Sequence, residues 1–588
     1  MTDRSSLGVR KSISILKPYL RRYRGDFLRG LGCLVLNDAI AVSSPLVLRN
    51  GVDALTRGET GRAVAMLALL LLLVSAFKGI FQFGKRFILV GVSRDIEFDI
   101  RNDLFRNLVR LPPAYFSGQR TGDIMARATN DLNAVRMMLG PGVMYLAETS
   151  LMFVFAVAIM VTIDWRLTFW AILPAPLVSF AVVFFGQRIH ARFEKIQGMF
   201  SDISSRVQEN LAGVRIVRAF AQEEAEIRRF ETLNREYIRE NLRLVKLQGL
   251  FDPLLELLIG FTFLAVLWVG GSQVLRHKLS LGEFVMFNTY MGMLVWPMIA
   301  LGWVVNLIQR GTASLGRIVE VLHQEPSIQA PAHPKSPTSP RGEIRFENVV
   351  VSYPAGKALD GVSFEIAAGK TVAIVGHTGS GKSTLVNLIP RMLDPTVGRV
   401  LVDGIDVRDY DPTVLRRTIG FVPQETFLFS ATLAENVAFG VDEGSADEVK
   451  RAAEIAGLAP DIADFPAGYA TTVGERGITL SGGQKQRAAI ARAVLRNASI
   501  LVLDDALASV DTLTEDRILT GLAEVFRERT VILISHRVST VRHADEILVL
   551  EHGRVVERGT HESLSARGGY YADLVVRQTL EAELEAAG

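Results

Sequence analysis

Three stretches of this 588-residue chain carry residue types at spacings that suit phosphate chemistry. The first is Gly376-His377-Thr378-Gly379-Ser380-Gly381-Lys382-Ser383-Thr384, which fits the pattern G-x-x-x-x-G-K-[ST]. Its glycines leave backbone N–H groups free to face a phosphate. Lys382 can reach β- and γ-phosphates, and the Ser383 hydroxyl can ligate Mg²⁺. The second is Ile500-Leu501-Val502-Leu503-Asp504, an apolar run that ends in an acid. A carboxylate at a strand end beside a phosphate cradle can hold the Mg²⁺ shell; alone, it reads as a turn cap. The third is Leu480-Ser481-Gly482-Gly483-Gln484, ahead of a helix over 486–495. Glycines and a serine at a helix N-terminus make an anion site. One domain already has its own γ-phosphate cradle, so a second suggests service to another copy of the domain.

These groups need elements to hold them. Val372-Ala373-Ile374-Val375 is a short β-branched run, read as a buried strand, and Leu385-Val386-Asn387-Leu388-Ile389 opens a helix. Strand, loop and helix in that order are the context the phosphate pattern requires. Another apolar strand, 531–534, precedes His536.

Composition says what the rest of the chain must be. The length exceeds what one hydrophobic core supports. Hydrophobic residues make up 49% and charged residues 22%, with mean hydropathy +0.26. A chain part membrane-embedded and part soluble satisfies both. The 65 basic and 62 acidic residues balance to +3, which gives no nucleic-acid footprint. The single cysteine, Cys33, excludes an intrachain disulfide and zinc sites built on several cysteines. The N-terminus is charged from the start, so no cleaved signal peptide is expected.

Six apolar runs long enough to span a bilayer lie at 27–48, 64–84, 141–163, 167–186, 254–274 and 283–305. Short loops near 51–62, 164–166 and 273–281 join them in pairs. Charged connectors over 85–136 and 188–246 carry arginines such as Arg94, Arg101, Arg192 and Arg215, and the N-terminus adds Arg21, Arg22 and Arg24. All fall on one side, which places the N-terminus, both connectors and the C-terminal half in the cytoplasm. Helical spacing (Ile96, Ile100, Leu104, Leu108; Phe230, Leu233, Tyr237) continues the helices out of the membrane. Turn-rich tips at 117–127 and 210–215 read as solvated turns or as short docking helices. Five prolines in 324–342 mark an extended linker.

The Leu480-to-Gln484 motif, placed between a Walker A and a Walker B motif, resembles the ATP-binding cassette (ABC) family. Six spans followed by one cassette resemble an ABC exporter half-transporter of the type IV fold, and the likeness covers essentially the whole chain. It implies a multidomain protein. An all-α six-helix transmembrane domain (1–323) is followed by a linker (324–342) and an α/β P-loop nucleotide-binding domain (343–588). Two cassettes would close head to tail around two ATP molecules with Mg²⁺. Each site would join the Walker motifs of one chain to the LSGGQ of the other. Bound nucleotide would touch Gly376, Thr378, Gly379, Ser380, Gly381, Lys382, Ser383 and Thr384. From the other chain's side, Leu480, Ser481, Gly482, Gly483, Gln484 and the D-loop residue Asp511 would face it. Tyr353 matches the aromatic that stacks on adenine; the alternative is a strand aromatic in the core. Gln424 matches the glutamine that touches Mg²⁺ and links to the membrane domain, so Ser383, Gln424 and Asp504 form the metal set. His536 matches the switch histidine at the γ-phosphate. Residues 472–477 resemble an exporter-specific loop, and 123–127 and 213–220 fall where coupling helices belong.

One position departs from the family. The residue after Asp504 is normally a glutamate that serves as general base or holds the attacking water; here it is Asp505. Its carboxylate is one methylene short, and misplacement near 1 Å can cost about 10²-fold in rate. Local adjustment is the bland reading. The resemblance favours one half of a heterodimer with a degenerate site, whose partner carries Glu after its Walker B Asp. The expected function is ATP-driven efflux of amphipathic small molecules, lipids or peptides across the plasma (bacterial inner) membrane, among membrane lipids as partners. Alternatives are a homodimeric exporter and an ATP-gated, channel-type ABC protein. The six spans argue against a soluble ABC ATPase. No peptidase-like domain precedes the first span, which disfavours a dedicated bacteriocin exporter. In the membrane half, Asp38, Glu148 and Glu256 are either functional acids or partners of Lys and Arg. Phe261, Phe263, Asn288, Tyr290, Trp296 and Asn306 are candidates to line a cavity for an amphipathic substrate; the alternative for them is packing and interface belts. Trp268 and Trp303 read as packing or interface aromatics.

Overall fold

Helices α1 (Arg24–Thr56), α2 (Gly61–Leu108), α3 (Thr121–Ile163), α4 (Trp165–Ala212), α5 (Glu223–Leu275) and α6 (Leu281–Leu322) are each long and apolar enough to cross a membrane. The computed structural model describes residues 14–587 apart from Thr338, Ala355, Glu475, Arg476 and Ile478. The exporter-specific loop expected over 472–477 therefore lies partly outside the described residues, as does the extreme N-terminus. Each of the six apolar runs falls within one helix. The helices run from 33 to 53 residues, whereas about 20 suffice for a hydrocarbon core of about 30 Å. The excess continues into the charged connectors, as the helical spacing suggested.

By contact density the chain divides into two compact units. One runs to Arg110 and resumes over Gln119–Gln324; the other comprises Glu325–Gly588 with Leu111–Gly118.

In the first unit the loop expected over 51–62 is shorter, because α1 stays helical through Thr56. The reason is Asp53 in its last turns. Its Oδ1 accepts from the Gly282 N–H at 2.8 Å, and its Oδ2 accepts from Ser280 Oγ at 2.9 Å. Ser280 also caps α6 in a reciprocal box with Glu283. Asp164 alone separates α3 from α4 and accepts from the Leu167 N–H at 2.8 Å. Lys85 Nζ in α2 meets Glu148 Oε1 in α3 at 2.6 Å, so Glu148 is a paired acid. Asp38 is buried and accepts from Asn37 Nδ2 at 3.0 Å, while Glu256 is exposed. Tyr290 corrects an expectation. It is fully buried and its hydroxyl donates to the Val42 carbonyl at 2.6 Å, so it packs α6 on α1 and lines no cavity. Further along, α4 and α5 are tied together: Glu240 takes Lys195 at 2.9 Å and Arg192 at 3.2 Å, and Glu226 takes Arg206. Where docking tips were expected, Thr121–Ala126 forms the first turns of α3, and Val214–Ala219 is a short helix between α4 and α5.

The second unit holds β1 (Ile344–Tyr353), β2 (Gly356–Ile366), β3 (Thr371–Val375), α7 (Lys382–Asn387), β4 (Val397–Val402), β5 (Ile405–Asp406), β6 (Ile419–Val422) and α8 (Gly482–Leu495). After these come β7 (Ile500–Asp504), α9 (Thr512–Arg527), β8 (Thr530–Ile534), β9 (Glu546–Glu551), β10 (Arg554–Gly559) and α10 (Tyr570–Ala587). One antiparallel sheet has the order β2-β1-β4-β5 and a second sheet the order β10-β9-β3-β8-β7-β6. In the second, β9, β3, β8, β7 and β6 run parallel. Strand periodicity sends alternate residues to opposite faces. Ala373, Val375, Leu501 and Leu503 join the core beneath α8 and α9. Val372, Ile374, Ile500 and Val502 join the core shared with α7 and the antiparallel sheet. Burial on both faces explains why these strands read as unbroken apolar runs. The proline-rich stretch is fastened to this unit: Lys335 meets Asp409 at 2.7 Å, and Arg391 Nη1 donates to the Gln329 carbonyl at 3.0 Å.

Candidate nucleotide site

Strands β3, β8, β7 and β6 lie side by side, and the loop after each supplies one part of a single pocket. Ligands of open α/β sheets bind at this carboxyl edge. Register pairs Ile374 with Ile534 and Ile534 with Asp504, so the strand ends are level. The pocket, about 570 Å³, is lined by Gly376, Thr378, Gly379, Gly381, Lys382, Ser383 and Thr384 after β3, Ser535 and His536 after β8, Asp504 and Asp505 at β7, and Gln424 after β6. Ala358 and Ile534, not singled out from the sequence, complete it.

The loop after β3 runs too close to its neighbours for side chains at two points. A Cβ on Gly376, at φ +150°, would stand 2.1 Å from the Leu550 carbonyl oxygen. One on Gly381, at φ +102°, would stand 2.4 Å from that of Ala358. Lys382 Nζ donates to the Gly376 and His377 carbonyls at 2.8 Å each. Burial holds its pKa below the usual lysine value, while the charges of Asp505 and Asp504 act the other way. Asp504 is buried, and burial pushes its carboxyl up; the Ser383 hydroxyl opposes this, Asp505 adds to it, and Lys382 opposes it.

Ser380 is 5% exposed and its Oγ is buried with no hydrogen-bond partner. A buried hydroxyl without a partner is costly, and it sits in a loop where Gly376 and Gly381 admit no side chain. What the pocket lining offers a phosphate is the backbone of Gly376, Gly379 and Gly381 and the Lys382 ammonium. Ser383 and Asp504, already bonded to each other, offer the hydroxyl and carboxylate oxygens that a hard cation prefers. The residues present therefore fit a nucleotide with Mg²⁺.

Asp505 has φ +51°, a left-handed conformation that Asp adopts more readily than most residues. Its N–H donates to the Ile534 carbonyl at 2.9 Å. Its Oδ1 lies 3.1 Å from His536 Nδ1.

The other sequence-derived residues stand outside this pocket. Tyr353 ends β1 and is 48% exposed, so it is no core aromatic. Leu480 is buried in a small apolar cluster. Ser481 caps α8 reciprocally with Gln484, and Gln484 Nε2 also donates to Asp461 at 2.9 Å. Gly482 and Gly483 form the first turn of α8. Asp511 caps α9 through the Thr514 N–H at 2.9 Å, and those backbone bonds hold its carboxyl below the usual range.

Three residues were missed by the sequence reading. Gln486 Oε1 accepts from the Ser509 N–H at 2.9 Å and joins α8 to the 508–511 stretch. Arg537 Nη1 donates to the Val510 carbonyl at 2.8 Å and reaches Glu515 Oε2 at 2.5 Å. Glu515 is 2% exposed and also accepts from Ser539 and Thr540. Only adjacency to His536 marks Arg537 in the sequence; nothing marks the other two.

A P-loop sheet with a phosphate cradle, joined in one chain to six membrane-crossing helices, defines an ATPase-coupled membrane transporter. Residues 27–298 match the family model of the ABC transporter transmembrane region, and residues 359–508 match that of the ABC transporter. The chain is 37% identical over 577 residues to the probable multidrug resistance ABC transporter ATP-binding/permease protein YheI of Bacillus subtilis (strain 168), covering 96% of this chain and 98% of that one. It is 36% identical to the multidrug resistance-like ATP-binding protein MdlA of Escherichia coli (strain K12), over 97% of each chain. It is also 36% identical to the ATP-dependent lipid A-core flippase of Aromatoleum aromaticum, over 100% of each. A solved structure of a bacterial Atm1-family ABC exporter with ATP bound superposes with a TM-score of 0.78 at 31% identity, covering 95% of this chain and 99% of that one. The chain belongs to the ABC transporter family and is a multi-pass membrane exporter.

Proposed function

We propose that this chain is the slow-site half of a heterodimeric ABC exporter that moves amphipathic small molecules or lipids outward across the bacterial inner membrane. The observation that carries this reading is Asp505. A general base must come within about 2.6–3.2 Å of the water it activates. The aspartate stops one methylene short of a glutamate's reach, and its Oδ1 is turned to His536.

Each residue then has a role. The 376–384 loop and Lys382 bind and orient the phosphates. Ser383, Gln424 and Asp504 would hold Mg²⁺, which when bound neutralises charge on the β- and γ-phosphate oxygens. His536 contacts the γ-phosphate, with Asp505 Oδ1 3.1 Å from its Nδ1. Tyr353 offers an exposed aromatic face to adenine. Residues 480–484 and Asp511 complete the second ATP site, whose glutamate belongs to the partner subunit. The N-terminus, helix extensions and nucleotide-binding domain are cytoplasmic, in keeping with the arginine-rich connectors. The relatives named for multidrug resistance and lipid A-core flipping support an amphipathic cargo.

ATP hydrolysis by the purified chain alone tests this reading. Slow turnover is expected, rising when a half-transporter with Glu after its Walker B Asp is added. Turnover by the chain alone at ordinary exporter rates would exclude the heterodimer.

A further inference from the structure

Helix α10, the last in the chain, returns to the nucleotide site at two points. Its first residue, Tyr570, sets its ring edge-on to His377 in the phosphate loop, with centroids 4.6 Å apart. Two turns on, Gln578 bonds to the loop after β8 with both ends of its amide. Nε2 donates to the His536 carbonyl at 2.6 Å, and Oε1 accepts from the Val538 N–H at 2.8 Å. The helix is held firmly enough to serve as a fixed point. Tyr571 is fully buried with its hydroxyl 2.8 Å from His561 Nδ1, and the Tyr570 N–H donates to Glu557 at 2.6 Å.

The amide clamps the backbone on both sides of Arg537. Val538 opens a short helix, Val538–Val541, so its N–H is one that the helix itself leaves unpaired. The His536 side chain is 58% exposed, and among the described residues its side-chain partner is Asp505. Little packing therefore fixes the ring, and the direction in which it leaves the chain depends on backbone that Gln578 holds.

We propose that Gln578 is a positioning residue for His536, so that the C-terminal helix sets how well this chain's own site tells ATP from ADP. The inference rests on the role given to His536 above. A γ-phosphate sensor held on a loose loop still meets the phosphate, but only in a fraction of its conformations, and apparent affinity falls by that fraction. ADP, which lacks the γ-phosphate, is indifferent to the loop.

The test is equilibrium binding to the purified full chain of a non-hydrolysable ATP analogue and of ADP, each with Mg²⁺. Gln578→Leu keeps most of the volume and loses both bonds. The expected result is a loss of about tenfold in affinity for the analogue, the equivalent of about one net hydrogen bond, with ADP affinity unchanged. His536→Ala should show a loss of similar kind. The double variant should be no worse than His536→Ala, since the two residues act as one unit. Equal losses for the analogue and ADP in Gln578→Leu would mean a merely structural role and would overturn the proposal. So would a selective loss in His536→Ala with none in Gln578→Leu, which would leave the reading of the site intact. No loss in His536→Ala would remove the sensor itself, and with it this proposal and the role given to His536 above.

Discussion

His536 Nδ1 and Asp505 Oδ1 lie 3.1 Å apart, a contact that joins the ends of two adjacent parallel strands. The pair binds the residue that should sense phosphate to the residue that should activate water. Lengthening the acid gives the first prediction. Asp505→Glu should raise ATP hydrolysis by the chain alone by on the order of 10²-fold, the usual cost of misplacing a reacting group by about 1 Å. Phosphate release at saturating MgATP measures it. An unchanged rate with intact ATP binding would show that carboxylate reach is not the limiting departure.

Asp504 makes a prediction about pH. Burial raises its pKa, so between the ordinary carboxylate range and the raised value the folded chain holds a proton that the unfolded chain has released. Stability falls as pH rises through that window, and the deficit is complete above it. Asp504→Asn removes the buried charge. The variant should melt higher than the parent at neutral pH, and the gain should vanish as pH falls into the ordinary carboxylate range. Melting curves across a pH series without nucleotide decide this. A gain that is the same at every pH would rule out the linkage.

Arg537 and Glu515 form a pair in which the acid is 2% exposed. Removing one partner leaves a buried charge, which costs about 3–5 kcal/mol. Arg537→Met should therefore lower the melting temperature markedly, and adding Glu515→Gln should restore part of the loss. A double-mutant cycle with additive effects would deny the coupling.

Lys85 and Glu148 offer the same logic between two membrane helices. Lys85→Met strands the Glu148 carboxylate, and a cost of several kcal/mol is expected, as for other intramembrane charges. Lys85→Met with Glu148→Gln should recover much of the detergent-melting temperature. If the double variant is as unstable as the single, the pair is not what holds these helices together.

Much of the site is legible in the sequence. The phosphate loop is written in glycines and one lysine because its work is done by backbone and a single charge. The parallel strands are legible because burial on both faces leaves their interiors apolar, with polar residues only at the strand ends. What escaped were the partners of long-range hydrogen bonds. Gln578 is 40 residues from Val538, and no periodicity points from one to the other. Gln484 was read as part of an anion site, yet its side chain is shared between Ser481 and Asp461. The chemistry of Tyr290 suits a cavity wall or packing, and its bond to the Val42 carbonyl decides for packing. A polar side chain in the sequence states what it can bond to; only the fold states what it does bond to.

Helices α4 and α5 have a mechanical consequence. At about 1.5 Å per residue, the 53 residues of α5 span about 80 Å, of which a bilayer core takes about 30 Å. The longer arm lies outside the bilayer. Single helices bend gently over such lengths. Two helices cross-linked by Glu240 and Glu226 behave as a braced beam, stiffer than either rod. A tilt of a few degrees in the bilayer then reaches the far tip as a displacement of several ångströms, on the order of one helical turn, rather than being lost as curvature.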